Sequence, residues 1–196
     1  MRALTLALAL GAAALASPAA ADVFVFRTHM SGLLEEPANA SPGTGFAKVT
    51  FDDVAFTMEV DAAWQDLTSI VTAAHIHGPT AEPGEGVAGV MTPTPSFPGF
   101  PTGTSGSYNM IFDMNQASSY RPGFLTAHGD DPHAAGLVVL GALQDGRAYF
   151  NIHTQNFPGG EIRGFLAVPE PEAWALMILG FGAAGAALRR RRPAIA

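Results

Sequence analysis

Apolar and polar residues alternate with a period of two along most of the chain between residues 22 and 168. This alternation is typical of strands that bury one face, because successive side chains of a strand point to opposite sides of the sheet. Turn-forming segments such as Pro42-Gly43-Thr44-Gly45 and Pro158-Gly159-Gly160 separate the alternating segments. The pattern predicts a mainly β fold, an antiparallel Greek-key-like β-sandwich, with short strands around residues 24–26, 47–51, 56–60, 70–77, 108–112, 148–152 and 162–168.

One segment departs from this alternation and predicts a single short helix. Asp131-Pro132 is typical of a helix start, Leu137, Leu140 and Leu143 follow three apart, and Gly146 is typical of a stop. We expect Leu137 and Leu140 to pack this helix onto the sheet, although the apolar run would also suit a buried strand. Residues 91–106 contain four prolines and three glycines, which predicts a long surface loop.

Both ends of the chain carry targeting patterns. Met1-Arg2 precedes an apolar run and Ala19-Ala20-Ala21, so residues 1–21 are predicted to be a signal peptide that signal peptidase removes before Asp22. At the other end, Pro169, Glu170 and Pro171 precede an apolar run at residues 174–188, and a basic cluster follows it, namely Arg189, Arg190, Arg191 and Arg192. The positive-inside rule predicts that this cluster stays cytoplasmic while residues 22–168 lie across the membrane.

Residues 169–196 resemble the PEP-CTERM sorting signal of exopolysaccharide-producing Gram-negative bacteria. The resemblance implies transient insertion of a transmembrane helix in the inner membrane and cleavage near Pro-Glu-Pro by an exosortase. A permanent C-terminal anchor is the alternative for the same residues. We expect an exported protein that ends in the periplasm, on the outer surface or in the extracellular matrix.

Residues 22–168 form one predicted domain of strongly acidic character. They hold five basic and fifteen acidic residues, a net charge near −10. This charge excludes nucleic acid and anionic surfaces as partners, whereas divalent cations or neutral polysaccharide fit better. The chain has no cysteine, so disulfides and thiolate metal ligands are excluded.

Three histidines in predicted strands are candidate metal ligands. His75 and His77 are two residues apart, so their side chains share one face of a strand. His153 lies in another predicted strand and would supply a third nitrogen if the strands are neighbours. Glu35 and Glu161 are weaker candidates. Three imidazoles with a carboxylate or water suit Zn²⁺ or Cu²⁺, but histidines that bond a loop backbone are the structural alternative.

Two other polar clusters favour structural interpretations. Asp130 and Asp131, flanked by His128 and His133, lie where the predicted helix begins, which favours capping over a second metal site. Arg163 is expected to pair with an acid such as Glu35 and fix the sheet register; the alternative is a clamp for a carboxylate or sugar acid.

The chain resembles the CHRD domain family over nearly the whole of residues 22–168. Three motifs carry this resemblance, and they occur in the order typical of the family. The motifs are Ser31-Gly32-Leu33-Leu34-Glu35, Ala74-His75-Ile76-His77-Gly78, and Asn151-Ile152-His153-Thr154 with Gly159-Gly160-Glu161-Ile162-Arg163-Gly164. Glu36 departs from the family pattern, which more often has an apolar residue there. The resemblance implies an interaction module, and with the sorting signal it predicts a noncatalytic envelope or exopolysaccharide (biofilm) matrix protein.

The His-Ile-His strand also resembles, locally, the copper strand of Cu/Zn superoxide dismutase. A metal-binding (Cu or Zn) sandwich domain, or a dismutase-like metalloenzyme built on it, is therefore the alternative function. The chain lacks the cysteines and the histidine-bearing loop of that enzyme family. No nucleophile elbow, phosphate loop or dinucleotide fingerprint occurs in the sequence.

Overall fold

The computed structural model describes residues 22–168, together with Leu179 and Phe181. Short 3-10 turns lie at Gly32–Leu34 and Ala117–Ser119. The strands are β1 (Val23–Ser31), β2 (Thr44–Asp52), β3 (Thr57–Gln65), β4 (Val71–His77), β5 (Gly106–Asp113), β6 (Tyr149–Thr154) and β7 (Ile162–Phe165), and the helices are α1 (Pro122–Ala127) and α2 (Pro132–Gln144). Each of the seven predicted strands is present.

All seven strands pair antiparallel in one curled sheet, in the order β4-β6-β7-β1-β2-β3-β5. The mainly β, antiparallel prediction is therefore confirmed, and the layers that pack on each other are the two halves of a continuous sheet. The halves meet at β1 and β7, where Ser31 pairs with Arg163 and a bridge joins Arg27 to Ala167. Phe97 lies between them, with its ring 5.4 Å from that of Phe112 on β5 and 5.7 Å from that of Phe150 on β6.

The segment at residues 91–106 is not the surface loop that the sequence predicts. Its prolines do prevent a regular strand, but Met91, Phe97 and Phe100 are buried in the core. Phe100 stacks on Trp64 with ring centroids 4.6 Å apart. The segment is therefore part of the hydrophobic core, because apolar side chains at irregular spacing can be buried without forming a strand or helix.

The predicted helix is confirmed as α2. The Asp131 side chain caps it by accepting hydrogen bonds from His133 N at 2.9 Å and Ala134 N at 3.3 Å. Leu140 is buried as expected, whereas Leu137 is 51% exposed, so its predicted packing on the sheet is wrong. Gly136 lies on the buried face, and the next residue points about 100° further around the helix.

Within residues 22–168, the sequence predicts one helix too few, because α1 precedes α2. Its six residues begin with Pro122 in the first turn, and the carbonyl of Arg121 accepts from Leu125 N at 3.0 Å. In the described part of the chain, neither helix is both long and apolar enough to span a membrane. The predicted signal peptide and sorting signal fall outside the described residues, apart from Leu179 and Phe181.

Candidate metal site

The three candidate histidines lie on one face of the β4–β6 pair. β4 and β6 are neighbours in the sheet, and His75 stands opposite Asn151, His77 opposite Tyr149 and His153 opposite Ala73. Residues between them, such as Ile76 and Ile152, point into the core from the other face. The two histidine-bearing strands are therefore neighbours, which was the condition for His153 to supply a third nitrogen beside His75 and His77.

The imidazole rings of these residues converge. The ring centroids of His75 and His77 are 4.6 Å apart, those of His75 and His153 4.7 Å, and those of His77 and His153 5.9 Å. One ligand nitrogen from each ring can be chosen so that all three lie within 4.8 Å of one another. Three nitrogens at this spacing can contact a single metal ion.

Backbone carbonyls of two covering loops fix the orientation of two of the rings. His77 Nδ1 donates to Ala88 O at 2.8 Å, and His153 Nδ1 donates to Pro158 O at 2.9 Å. Since a carbonyl oxygen only accepts, the proton of each neutral ring lies on Nδ1 and the lone pair on Nε2. His77 Nε2, His153 Nε2 and His75 Nδ1 are buried and have no hydrogen-bond partner.

Burial keeps the imidazoles neutral. Burial, together with the smaller effects of His77, His153 and Arg121, lowers the pKa of His75 to about 3. Burial likewise lowers the pKa of His77 to about 4, against the opposing effect of the bond to Ala88. The pKa of His153 is lowered by burial and raised less by the bond to Pro158. All three rings therefore offer lone pairs at neutral pH, as metal binding requires.

Glu161 lies outside this cluster and is fully engaged elsewhere. Its Oε1 accepts from Ser41 Oγ at 2.6 Å and from Thr68 N at 2.7 Å, and its Oε2 accepts from Thr154 Oγ1 at 2.5 Å. The residue is fully buried. These bonds tie β7 to two loops, which gives Glu161 a structural role in this geometry.

Glu35 also lies outside the group of mutually close ligand atoms. Its carboxylate and the Asn151 side chain both pack against Gly160. Burial raises its pKa to about 7, although the charge of Arg163 and hydrogen bonding by Asn151 and the Glu36 backbone oppose the rise. Its Oε2 is 3.9 Å from Arg163 Nε, and its Oε1 has no partner.

Arg163 pairs with Glu35 as expected, although Glu35 follows the 3-10 turn after β1 instead of lying on a neighbouring strand. Besides Glu35, its Nε donates to Leu34 O, its Nη1 to Gly86 O at 3.1 Å and its Nη2 to Glu36 Oε2 at 3.3 Å. The guanidinium also lies 4.9 Å from the centre of the Tyr149 ring. These contacts leave Arg163 buried between the sheet and two loops.

The cluster at residues 128–133 has local partners instead of a shared centre. Asp131 caps α2, Asp130 Oδ1 accepts from Thr126 Oγ1 at 2.9 Å, and His128 Nδ1 donates to Phe124 O at 2.7 Å. The capping interpretation of Asp131 is confirmed.

The sequence places Asn151 on the same polar face as His153, because the two residues are two apart in a strand. It does not predict that Asn151 stands in register between His75 on β4 and Arg163 on β7. The carbonyls of Ala88 and Pro158 carried no sequence signal, because any residue has a backbone carbonyl.

Two family models match the chain. The model of the PEP-CTERM protein-sorting motif matches residues 167–192, which identifies an exported protein that transits a membrane and is processed by an exosortase. No curated protein and no solved structure matches the chain. The model of the CHRD domain matches residues 26–166, from β1 to the residue after β7. Because this match covers well over half of the sequence, the chain belongs to the CHRD domain family.

Proposed function

We propose that this exported CHRD domain binds one divalent transition metal ion, Zn²⁺ or Cu²⁺, through His75, His77 and His153. The observation that carries the proposal is the convergence of three imidazoles, which can place one nitrogen each within 4.8 Å of the other two. Each of these rings also has a buried nitrogen without a hydrogen-bond partner. We further propose that the domain acts without catalysis, as a module of the envelope or the exopolysaccharide matrix.

The donor set favours borderline metals over hard ones. Neutral imidazole suits Zn²⁺ and Cu²⁺, whereas Ca²⁺ and Mg²⁺ need oxygen ligands. The hydrogen bonds from His77 to Ala88 and from His153 to Pro158 orient the rings, as the hydrogen-bond acceptors behind metal-bound histidines do.

A purely structural role explains only part of this geometry. Bonds to the loop carbonyls satisfy one nitrogen each of His77 and His153 and leave three buried nitrogens unpaired in the cluster. A buried polar atom without a partner costs about 1–3 kcal/mol. A metal ion would engage all three nitrogens at once, which is why we favour it over the structural alternative.

Isothermal titration calorimetry of residues 22–168 with Zn²⁺ and Cu²⁺ tests the metal site. We expect one ion per domain at neutral pH, and loss of that binding in the double variant His75→Ala, His77→Ala. His29→Ala is the matched control, since His29 is exposed and lies outside the cluster. Unchanged binding in the double variant, or no binding by the parent, would refute the site.

The proposed matrix role rests on the sorting signal and on the acidic net charge of residues 22–168, which favours neutral polysaccharide over anionic partners. Fractionation of the native host should place the domain with the exopolysaccharide, and replacing Arg189, Arg190, Arg191 and Arg192 by alanine should deplete it there. Equal amounts of both proteins in the matrix would contradict this role.

A superoxide dismutase assay of the metal-loaded domain tests the enzyme alternative, and turnover above that of the free ion would establish it.

A further inference from the structure

Five buried side-chain atoms without a hydrogen-bond partner are present in the described residues, and all of them belong to one patch of the sheet face. Three are the histidine nitrogens, and the other two are Glu35 Oε1 and Asn151 Oδ1. Glu35 is 8% exposed and Asn151 3% exposed. Buried acceptors are normally paired, so two unpaired oxygens beside a candidate metal site indicate a missing donor.

The strand register places Asn151 next to the histidines. Asn151 stands opposite His75 on β4 and two residues before His153 on β6. Side chains directly opposite each other in an antiparallel pair have Cβ atoms about 4.5–5.5 Å apart. The Asn151 amide is therefore a direct neighbour of the metal-binding face.

Glu35 reaches the same place from the turn after β1. A Cβ atom on Gly160 would lie 2.6 Å from Glu35 Oε1 and 2.8 Å from Asn151 Oδ1. The two unpaired oxygens therefore pack against the same backbone position. They can lie this close to Gly160 because it has no side chain.

Glu35 is better placed to hydrogen-bond a ligand of the metal ion than to bind the metal ion directly. It is not among the residues whose ligand atoms lie within 4.8 Å of one another. A zinc-bound water lies about 2 Å from the ion, and an acceptor that bonds this water lies about 2.7 Å further out. Such an acceptor belongs to the second layer of groups around the ion.

We propose that the metal ion held by the three histidines keeps an exchangeable fourth position, occupied by water or another hydroxylic ligand whose protons Glu35 Oε1 and Asn151 Oδ1 accept. This inference rests on the proposed metal site and adds the nature of its fourth ligand. Three protein ligands and a water are typical of open zinc sites, whereas closed structural sites have four protein ligands. The site would accordingly take up small oxygen or anionic ligands from solution.

The test uses the Co²⁺-loaded domain, whose visible absorption reports on the ligands of the ion. Azide is added at pH 8, above the pKa of about 7 that burial gives Glu35 in the metal-free domain. A bound cation lowers that pKa, so the carboxylate is ionised in the assay. We expect a saturable spectral change with one azide per Co²⁺ in the parent. Glu35→Gln should bind azide at least tenfold more tightly, because the carboxylate that holds the water and repels an anion is gone.

Glu36→Gln is the matched control, since it removes the same charge from the adjacent, exposed carboxylate that contacts Arg163 Nη2. It should bind azide as the parent does. Asn151→Ala is a second variant in case Glu35→Gln does not fold, and we expect at least threefold tighter azide binding from it. Circular dichroism checks the fold of each protein.

The outcomes separate this inference from the proposed function. If Co²⁺ binds with unit stoichiometry but azide leaves the spectrum unchanged, the site is closed and only the inference falls. Azide affinities equal to that of the parent in the folded Glu35 and Asn151 variants would overturn it as well. If Co²⁺, Zn²⁺ and Cu²⁺ all fail to bind the parent, the metal site and the inference fall together.

Discussion

At the scale of single residues, the buried polar face of β4, β6 and β7 divides into a satisfied part and an unsatisfied part. Glu161 and Arg163 have several partners each, which bind the loops to the sheet. His75, His77 and His153 retain unpaired nitrogens on the same face. The satisfied residues therefore contribute to stability, and the unsatisfied ones are available for a ligand.

The depressed pKa of His75 makes metal-free stability depend on pH. Between its native pKa of about 3 and its ordinary value of 6.5, the unfolded chain carries a proton on His75 that the native chain lacks. Acid therefore favours unfolding in this window, by about 1.4 kcal/mol per pH unit for one proton. We expect His75→Gln to reduce the pH slope of stability by about this amount between about pH 4 and 6.

Urea melts in the presence of a chelator measure this slope. Glu35 acts in the opposite direction, because its native pKa of about 7 lies above the ordinary 4.5 and the native state holds the extra proton. Its effect is present in both proteins and cancels in the comparison. If the free energy of unfolding changes with pH equally in the parent and in His75→Gln, the native state does not exclude a proton from His75.

Glu161→Ala tests the structural role of this fully buried carboxylate. Its removal leaves the groups of Ser41, Thr68 and Thr154 without their acceptor. The Thr154 hydroxyl is buried, whereas the groups of Ser41 and Thr68 are only part-buried. At about 1–3 kcal/mol for a buried unpaired group, we expect a loss of at least about 1 kcal/mol in the free energy of unfolding. The Zn²⁺ affinity of the folded variant should stay within about threefold of the parent. A large loss of affinity without a loss of stability would return Glu161 to the metal site.

At the scale of elements, different residues determine where α2 begins and which of its faces is buried. Asp131 and Pro132 set where the helix begins, through side-chain bonds to two backbone amides and a fixed φ. Packing then decides the buried face, which contains Val139, Leu140 and Leu143 and leaves Leu137 half exposed. The leucine spacing alone could not identify this face, because three-residue spacing drifts around a helix of 3.6 residues per turn.

Two leucines of α2 provide a matched pair for stability measurements. Leu140→Ala should cost roughly 2–5 kcal/mol, since it empties a buried leucine site. Leu137→Ala should change stability by about 0.5 kcal/mol or less, since that side chain is 51% exposed. Denaturant melts give both values, and equal losses would mean that the helix packs through another face.

At the scale of the whole molecule, a single curled sheet supports both the core and the candidate site. The inner face carries the aromatic and aliphatic core, and the outer face of β4 and β6 carries the histidines beneath two loops. The sheet continues through Ala167, which bonds Arg27 in both directions. The matched sorting motif begins at Ala167, so the folded domain and the motif are contiguous.

Intact-mass analysis of protein from the native host tests both processing steps. We expect the mature protein to begin at Asp22, after the small-residue site, and to lack the arginine cluster at residues 189–192. Exosortase processing predicts this loss at the C-terminus. Arginines retained on most molecules would favour the permanent anchor, and a different first residue would contradict the predicted signal-peptide boundary.

The features that depend on local residue order could be predicted from the sequence alone. Alternation gave the strands, Asp131-Pro132 gave the start of α2, and the tail gave the sorting signal. The sequence also put His75 and His77 on one face, because the period of a strand is fixed by backbone geometry. These features need only neighbouring residues, so they are present in the sequence without a fold.

The contacts between residues that are distant in sequence could not be predicted, because they depend on how the whole chain packs. The pairing of β4 with β6 brought His153 to His75 and His77, and loop carbonyls oriented their rings. Glu161 was directed to Ser41, Thr68 and Thr154, while Glu35 and Asn151 were left with unpaired oxygens. Strand order, loop path and burial arise from packing of the whole chain, because hydrophobic burial is non-directional and does not specify partners from local sequence.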